Sequence, residues 1–403
     1  MRQSQFTLSC KDVCGFATGM LLTVLARVGW VADAVTVNPL VLIQLLVRAG
    51  AERRSLEAIA LLAENVPCVQ TIRNALAKLL PRTTAELEPA VVQALHARLP
   101  KSLKCRPRTM AIDFHNKPFY GDKKTAGTYR GQPKASTKTF FAYATLLVIR
   151  KGQTFTVGLL PIVNSDPLPC IIDGLLRQAA SHGLQPRCLL LDRGFYAAKV
   201  MLHLQQLGIP FVMPMIRRGK AGNTKATCTG TAQFFVKGRQ GWATYSWEAR
   251  IRTGGRKGPK GPRTPVTTDV CMVPRPKRKG KSTPWVYACY GLRSLSGVEV
   301  AALYRKRFRI ETSYRQMHEG LAQTSSTDAV YRLLLVLIAF VLRNLWVWLH
   351  WTLLAGRDEN GQRVVRLHVM RARRMLHCLV RYLDCKLGMP KNIVVRNAAA
   401  TAA

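Results

Sequence analysis

RCLLLDRGFYAAKVMLHLQQLGIPFVMPM, Arg187 to Met215, decides the class of fold. A compact apolar run, CLLL, ends in Asp192. Apolar residues at helical spacing follow from Phe195 to Leu207, and a second apolar run, PFVMPM (210–215), closes the unit. Short apolar runs bounded by turn residues read as buried strands, and the 3.6-residue period between them reads as a helix. Strand, helix, strand is the pattern of a sheet covered by helices.

Upstream, TMAIDF (109–114) is another short apolar run that ends in an acid. TFFAYATLLVIR (139–150) and TFTVGLLPIV (154–163), split by Lys151-Gly152, predict a β-hairpin. Ser165 to His182 reads as a helix with a proline-rich start. Downstream, residues 216–284 are rich in Gly, Thr, Lys and Arg and include RRGK (217–220), RTGGRKGPKGPR (252–263) and RPKRKGK (275–281). Between these lie strand-like pieces: AQFFVKG (232–238), WATYSWEARI (242–251) and TTDVCMVP (267–274). They favour a basic, β-rich insertion over a flexible linker. WVYACY (285–290) returns to buried-strand character, and two helices follow, Val298 to Glu319 and Ala329 to Leu354. The expected class is α/β, a mixed sheet flanked by helices.

Residues 1–105 read as α-helical. A helix from Ser55 to Glu64, a break at Val66-Pro67 and a helix from Gln70 to Leu80 suit a helix-turn-helix, which would turn Gln70, Arg73, Asn74 and Lys78 toward DNA. An ordinary helical hairpin is the alternative. The expected organisation is thus a helical DNA-binding region (1–105), a core domain (106–355, with the insertion at 216–284) and a basic tail (356–403) carrying a helix from Val364 to Leu387.

The chain has 403 residues, 48% of them hydrophobic, with 61 Lys and Arg against 21 Asp and Glu and a net charge of +40. A core is affordable in sequence terms, and so large a positive field calls for an anionic polymer as partner, nucleic acid before a membrane surface. The eleven cysteines form no C-x-x-C pair and the eight histidines complete no zinc spacing, a pattern of reduced thiols in a cytoplasmic compartment. Phe16 to Val35 loosely resembles a signal peptide, but Arg27 interrupts it and Asp12 precedes it. Leu333 to Ala355 is long enough to cross a bilayer, yet Arg343 and Asn344 sit near its middle, where Arg alone costs about 2.5–3.5 kcal/mol. A core helix is the better reading, and no membrane partner is expected.

Acids are scarce, so their positions inform. Asp113 and Asp192 each end an apolar run. Glu311 lies inside YRKRFRIETSYRQMH (304–318), where a helical face would gather Tyr304, Arg307, Phe308, Tyr314, Arg315 and His318 around it. Bland readings exist: i,i+4 ion pairs for Glu311, a helix cap for Asp192, a turn for Asp113. A carboxylate at the end of a buried strand is nonetheless costly unless compensated. Mg²⁺ supplies compensation, being a hard cation that takes carboxylate and phosphate oxygens; two such ions serve phosphodiester chemistry. Asp122 is a spare ligand candidate. His115 shares the strand face of Asp113 and reads as structural. Arg193 is either a phosphate contact or solvent-facing. Trp242, Trp247 and Trp285 offer either base stacking or burial.

The order of elements and the three acids resemble the DDE transposases of bacterial insertion sequences, whose catalytic core is ribonuclease-H-like. The segment from Tyr304 is similar to the Tyr-x2-Arg-x3-Glu-x6-Lys signature of the insertion-sequence-four superfamily: Tyr304, Arg307 and Glu311 fall at its spacing, and His318 takes the lysine place. DRGFY (192–196) resembles the second-aspartate motif, and the long interval from Asp192 to Glu311 resembles the family's β-rich insertion. The likeness covers residues 105–350 and reaches the flanks only loosely. It implies Asp113, Asp192 and Glu311 as catalytic ligands of two Mg²⁺ ions, with Mn²⁺ able to substitute. It implies Tyr304 and Arg307 at the transposon end, with Arg315 able to compensate for His318, which is neutral much of the time at pH 7. The partners expected are double-stranded DNA and a second copy of the chain in the synaptic complex, in a prokaryotic cytoplasm at the nucleoid. The rival readings are a ribonuclease-H-like nuclease without strand transfer and a noncatalytic nucleic-acid-binding protein.

Overall fold

The computed structural model describes residues 7–27, 37–152, 154–220, 222, 227–252, 259–275, 283–361 and 363–389. Most of RTGGRKGPKGPR and RPKRKGK, and part of the signal-like stretch, lie outside the described residues. The chain forms two compact units, one of residues 1–94, 317–346 and 367–403, the other of 95–316 and 347–366. This differs from a linear division: the tail helix joins the N-terminal helices.

The first unit opens with α1 (Cys10–Arg27), α2 (Pro39–Glu52), α3 (Leu56–Ala60), α4 (Val69–Leu79) and α5 (Thr84–His96). Local chemistry sets their starts. The Asn38 side chain accepts from the Leu40 backbone N–H with Pro39 at the first helical position of α2, and Ser55 caps α3 by accepting from Ala58. Two helices flank Val66-Pro67 as expected, but the first is short: α3 ends at Ala60, not at Glu64, while α4 matches closely.

The second unit holds β1 (Arg108–Pro118), β2 (Tyr129–Lys134), β3 (Thr137–Val148), β4 (Thr156–Ile162), α6 (Leu168–Ala180), β5 (Pro186–Leu191), α7 (Ala198–Gln206) and β6 (Phe211–Pro214). After these come β7 (Gly241–Arg252), β8 (Lys260–Val273), β9 (Trp285–Tyr290), α8 (Gly297–Arg305) and α9 (Arg309–His318). These nine strands form one mixed sheet in the order β2-β3-β1-β5-β6-β9-β8-β7, with β4 also on β3. β1–β3 and β3–β4 are antiparallel, β1–β5 and β5–β6 parallel, and the pairs from β6 to β7 antiparallel. The protein is therefore α/β, with a mostly antiparallel sheet. Cys188 to Leu191 are all buried, as a central strand covered on both faces requires.

Two expectations need correction. AQFFVKG is not a strand: residues 230–235 form a 3₁₀ turn, because Thr231 donates to the Ile216 carbonyl and accepts from the Arg218 N–H, both at 2.7 Å, while Phe234 is buried. The tail helix begins later than Val364. Residues 363–364 are β11 (Arg363–Val364), paired with β10 (Gly356–Arg357), and helix α11 covers Ala372–Leu387.

Helix α10 (Ala329–Thr352) carries the apolar run. It is the one helix among the described residues long and apolar enough to cross a membrane, and it is almost wholly buried inside the protein, Arg343 and Asn344 included. In the first unit α11 packs on α1 and α2. The buried Arg48 of α2 pairs with Asp384 of α11 at 2.7 Å and with Glu52 at 2.6 Å. None of the eleven cysteines is in a disulfide.

Candidate active site

Parallel pairing of β1 with β5 puts Ile112 opposite Leu191, so Asp113 and Asp192 are the next residues on neighbouring strands. Asp113 is held in register from its other side, opposite Thr145 of β3. Asp192 leaves β5 and turns at once: its Oδ1 accepts from the Gly194 N–H at 2.8 Å, capping the 3₁₀ turn 193–195. The capping role is thus real, and it orients the carboxylate. Glycine suits this turn, since a Cβ at position 194 would stand 3.0 Å from Asp192 Oδ1 and press on the carboxylate. Phe195, fully buried, anchors the turn on Phe114 with ring centroids 5.0 Å apart.

The third acid arrives on the helical segment. Ser296 and Glu299 form a capping box that starts α8. Val300, Leu303, Tyr304 and Ile310 then pack against Ala111, Leu190, Val212 and Cys289 of the sheet. Residues 306–308 tighten to a 3₁₀ turn, after which α9 carries Glu311. The Tyr314 hydroxyl hydrogen-bonds that of Thr145 at 2.6 Å, fastening α9 over β3. His115 is buried beside Tyr314, rings 5.0 Å apart.

Arg307 occupies the middle. Its guanidinium donates to Asp113 Oδ2 at 3.1 Å and to Glu311 Oε1 at 3.0 Å, with the Arg307 and Asp113 side chains 10% and 15% exposed and that of Glu311 52%. Burial pushes the Asp113 carboxyl up to about 6; Arg307 opposes that shift and Asp192 adds to it. Burial also raises Asp192, again against the pull of Arg307. Burial alone would lower Arg307, but Tyr304 and the three acids hold its pKa above the usual arginine value. An acid raised by burial beside a second acid and a buried cation makes this cluster a candidate functional site.

The structure therefore gathers Asp113, Asp192, Tyr304, Arg307 and Glu311. Tyr304 is buried, not surface-facing: it stacks near Tyr287 at 5.0 Å and backs Arg307, whose guanidinium carbon is 5.8 Å from its ring centre. Arg193 and Arg315 are exposed, the latter donating to Thr312. His318 is exposed and belongs to the other compact unit. Asp122 is exposed and serves its own loop, accepting from Lys124. Thr145 is the site residue that sequence reasoning missed; a threonine inside an apolar hairpin strand carries no signal of its own. Among the described residues no three His, Cys, Asp or Glu side chains already converge as a metal group; Glu311 is joined to Asp113 through Arg307.

Elsewhere, Gln70, Arg73, Asn74 and Lys78 all lie on the exposed face of α4, with Ile72, Ala75, Leu76 and Leu79 buried behind them. Trp242 is tied to the core by its indole N–H on the Leu295 carbonyl. Trp247 stacks on Tyr245 at 5.0 Å, and Trp285 has Arg275 and Arg305 over its ring at 5.8 and 5.9 Å. In comparisons of the sequence with protein-family models and with curated proteins, nothing matches the chain.

Proposed function

We propose that the protein is a DDE-type DNA transposase that cleaves and joins the ends of an insertion sequence. The observation that carries this reading is the adjacency of Asp113 and Asp192 on parallel strands, with Arg307 linking Asp113 to Glu311. The strand succession β4-β3-β1-β5-β6, antiparallel for two joins and parallel for the next two, supports a ribonuclease-H-like core. The three acids offer only carboxylate oxygens, the donor set that suits Mg²⁺ or Mn²⁺. Divalent ions held by Asp113, Asp192 and Glu311 would activate the attacking oxygen and stabilise the leaving one.

The chain's own residues do the rest. The turn at Gly194 fixes the direction of Asp192, and the Thr145–Tyr314 hydrogen bond fixes the helix of Glu311. Arg307 backed by Tyr304, with the exposed Arg193 and Arg315, would bind phosphates at the transposon end. His318 enters this reading only through its spacing, seven positions after Glu311. The exposed face of α4 would read DNA, and a dimer would hold two ends together. With a net charge of +40, affinity for duplex DNA should fall about 10³–10⁵-fold between 50 and 200 mM salt.

The test is cleavage of labelled duplex carrying the element's own ends, taken from the DNA that flanks the gene, with Mg²⁺ or Mn²⁺. The expected result is end-specific cutting that Glu311→Gln abolishes. Cutting without regard to the ends would favour a nuclease instead, and equal cutting by both proteins would remove Glu311 from the chemistry.

A further inference from the structure

Arg307 is a buried cation seated among the carboxylates that the proposed metal ions need. The Asp113 oxygen it holds at 3.1 Å and the Glu311 oxygen it holds at 3.0 Å are candidate metal donors. Its seat is also incomplete. The Arg307 Nε is buried with no acceptor at hydrogen-bond distance, and a buried donor without an acceptor is costly. Three carboxylates against one guanidinium leave the cluster net negative, so it still attracts a cation while its donors are partly engaged.

We infer that Arg307 is an internal counter-cation that keeps the acids of the DNA-free protein from closing on a divalent ion, and that a phosphodiester draws it away. This inference rests on the proposed role of the three acids. The competition follows from charge: a guanidinium and a divalent ion placed on the same oxygens repel each other, so one must yield. Phosphate is the partner suited to accept Arg307. It takes a guanidinium through two parallel hydrogen bonds and satisfies donors that one carboxylate oxygen at each end does not. The exit is short, because Arg307 bridges toward Glu311, whose side chain is half exposed. Metal and DNA then bind with positive coupling: each removes the same obstacle for the other, and linkage makes the effect reciprocal.

The test is Mn²⁺ binding to the full chain, read by electron paramagnetic resonance of the free ion, with and without a short duplex of random sequence. The duplex's own Mn²⁺ binding is subtracted from a protein-free control. Wild type should bind Mn²⁺ weakly alone and at least tenfold more tightly with duplex. Arg307→Gln should bind Mn²⁺ at least tenfold more tightly than wild type without DNA and gain little from it. Arg307→Lys keeps the charge but lacks the fork that spans both acids, and should fall between; it also serves if the glutamine variant does not fold, as judged by circular dichroism. Asp113→Asn should lose the site in every background.

Equal Mn²⁺ affinity of wild type and the folded Arg307 variants, with Asp113→Asn still abolishing binding, would overturn the inference alone. Mn²⁺ binding indifferent to Asp113→Asn would overturn it together with the metal reading of the acids.

Discussion

Tyr314 and Thr145 share a hydrogen bond of 2.6 Å between their hydroxyls, although 169 positions separate them in the chain. Thr145 is opposite Asp113 across the β1–β3 pair, and Tyr314 is one helical turn beyond Glu311. One bond therefore sets where the helix-borne acid stands relative to a strand-borne one. Burial holds the Tyr314 hydroxyl far above the usual tyrosine pKa, so it stays protonated as the bond requires.

Tyr314→Phe removes that hydroxyl and leaves Thr145, 1% exposed, without its partner. The expected cost is about 1–2 kcal/mol of stability, whereas Thr145→Val combined with Tyr314→Phe should regain part of it, because two apolar groups leave no stranded donor. Thermal unfolding of the two single variants and the double variant checks this. Additive losses would mean that the two hydroxyls do not act on each other.

Asp113 gives the folded chain a specific pH dependence. Its carboxyl titrates at about 6 when folded, against 3.8 as its ordinary value, chiefly through burial. Between those values the folded state keeps a proton that the unfolded state has released. Stability should therefore fall as pH rises through that window, by about 1.4 kcal/mol per unit at most, and the loss is complete above the folded value. Asp113→Asn carries no such charge and should exceed wild type in stability by roughly 2 kcal/mol at pH 8, and should lose the cleavage activity proposed above. Melting temperatures at pH 4, 6 and 8 decide it, and parallel curves for the two proteins would refute the assignment.

Arg48 ties the N-terminal helices to the tail. Its side chain is 6% exposed, and its partners Glu52 and Asp384 are about a third exposed. Arg48→Ala should cost about 2–3 kcal/mol, less than a fully buried pair because water reaches the two acids. Loss of helical circular dichroism at lower temperature and faster proteolysis within α11 are the expected readouts. An unchanged melting temperature would make the pair incidental.

The parts of the fold that were legible in sequence are those whose burial writes itself as pattern. Strands β5 and β9 and the first half of β1 are short apolar runs, while β1 continues through the polar residues to Pro118; the hairpin of β3 and β4 is split by Lys151-Gly152. Strand β2 was illegible because TYRGQPK is polar: it is an edge strand with mostly exposed residues, held by β3. AQFFVKG misled because two phenylalanines favour a strand, while its conformation is set by where Thr231 finds its partners, which lie 13 and 15 positions away. At the site the three acids announced themselves by scarcity and position. The helical wheel put Tyr304, Arg307 and Phe308 beside Glu311, and Arg307 does lie near both rings. What the wheel did not carry is that this face turns inward, burying Tyr304 and Arg307.

The long excursion between Asp192 and Glu311 passes after β6 to the far edge of the sheet, as β7 and β8, and returns at β9, which pairs with β6 from Phe211–Tyr290 to Pro214–Tyr287. Its two roots are thus bound to each other before either reaches an acid. The far end of the β7–β8 hairpin can lengthen, shorten or accept a foreign sequence while the roots keep their register. A change of length between β7 and β8 would therefore leave the β6–β9 register, and with it the relative placement of Asp192 and Glu311, undisturbed.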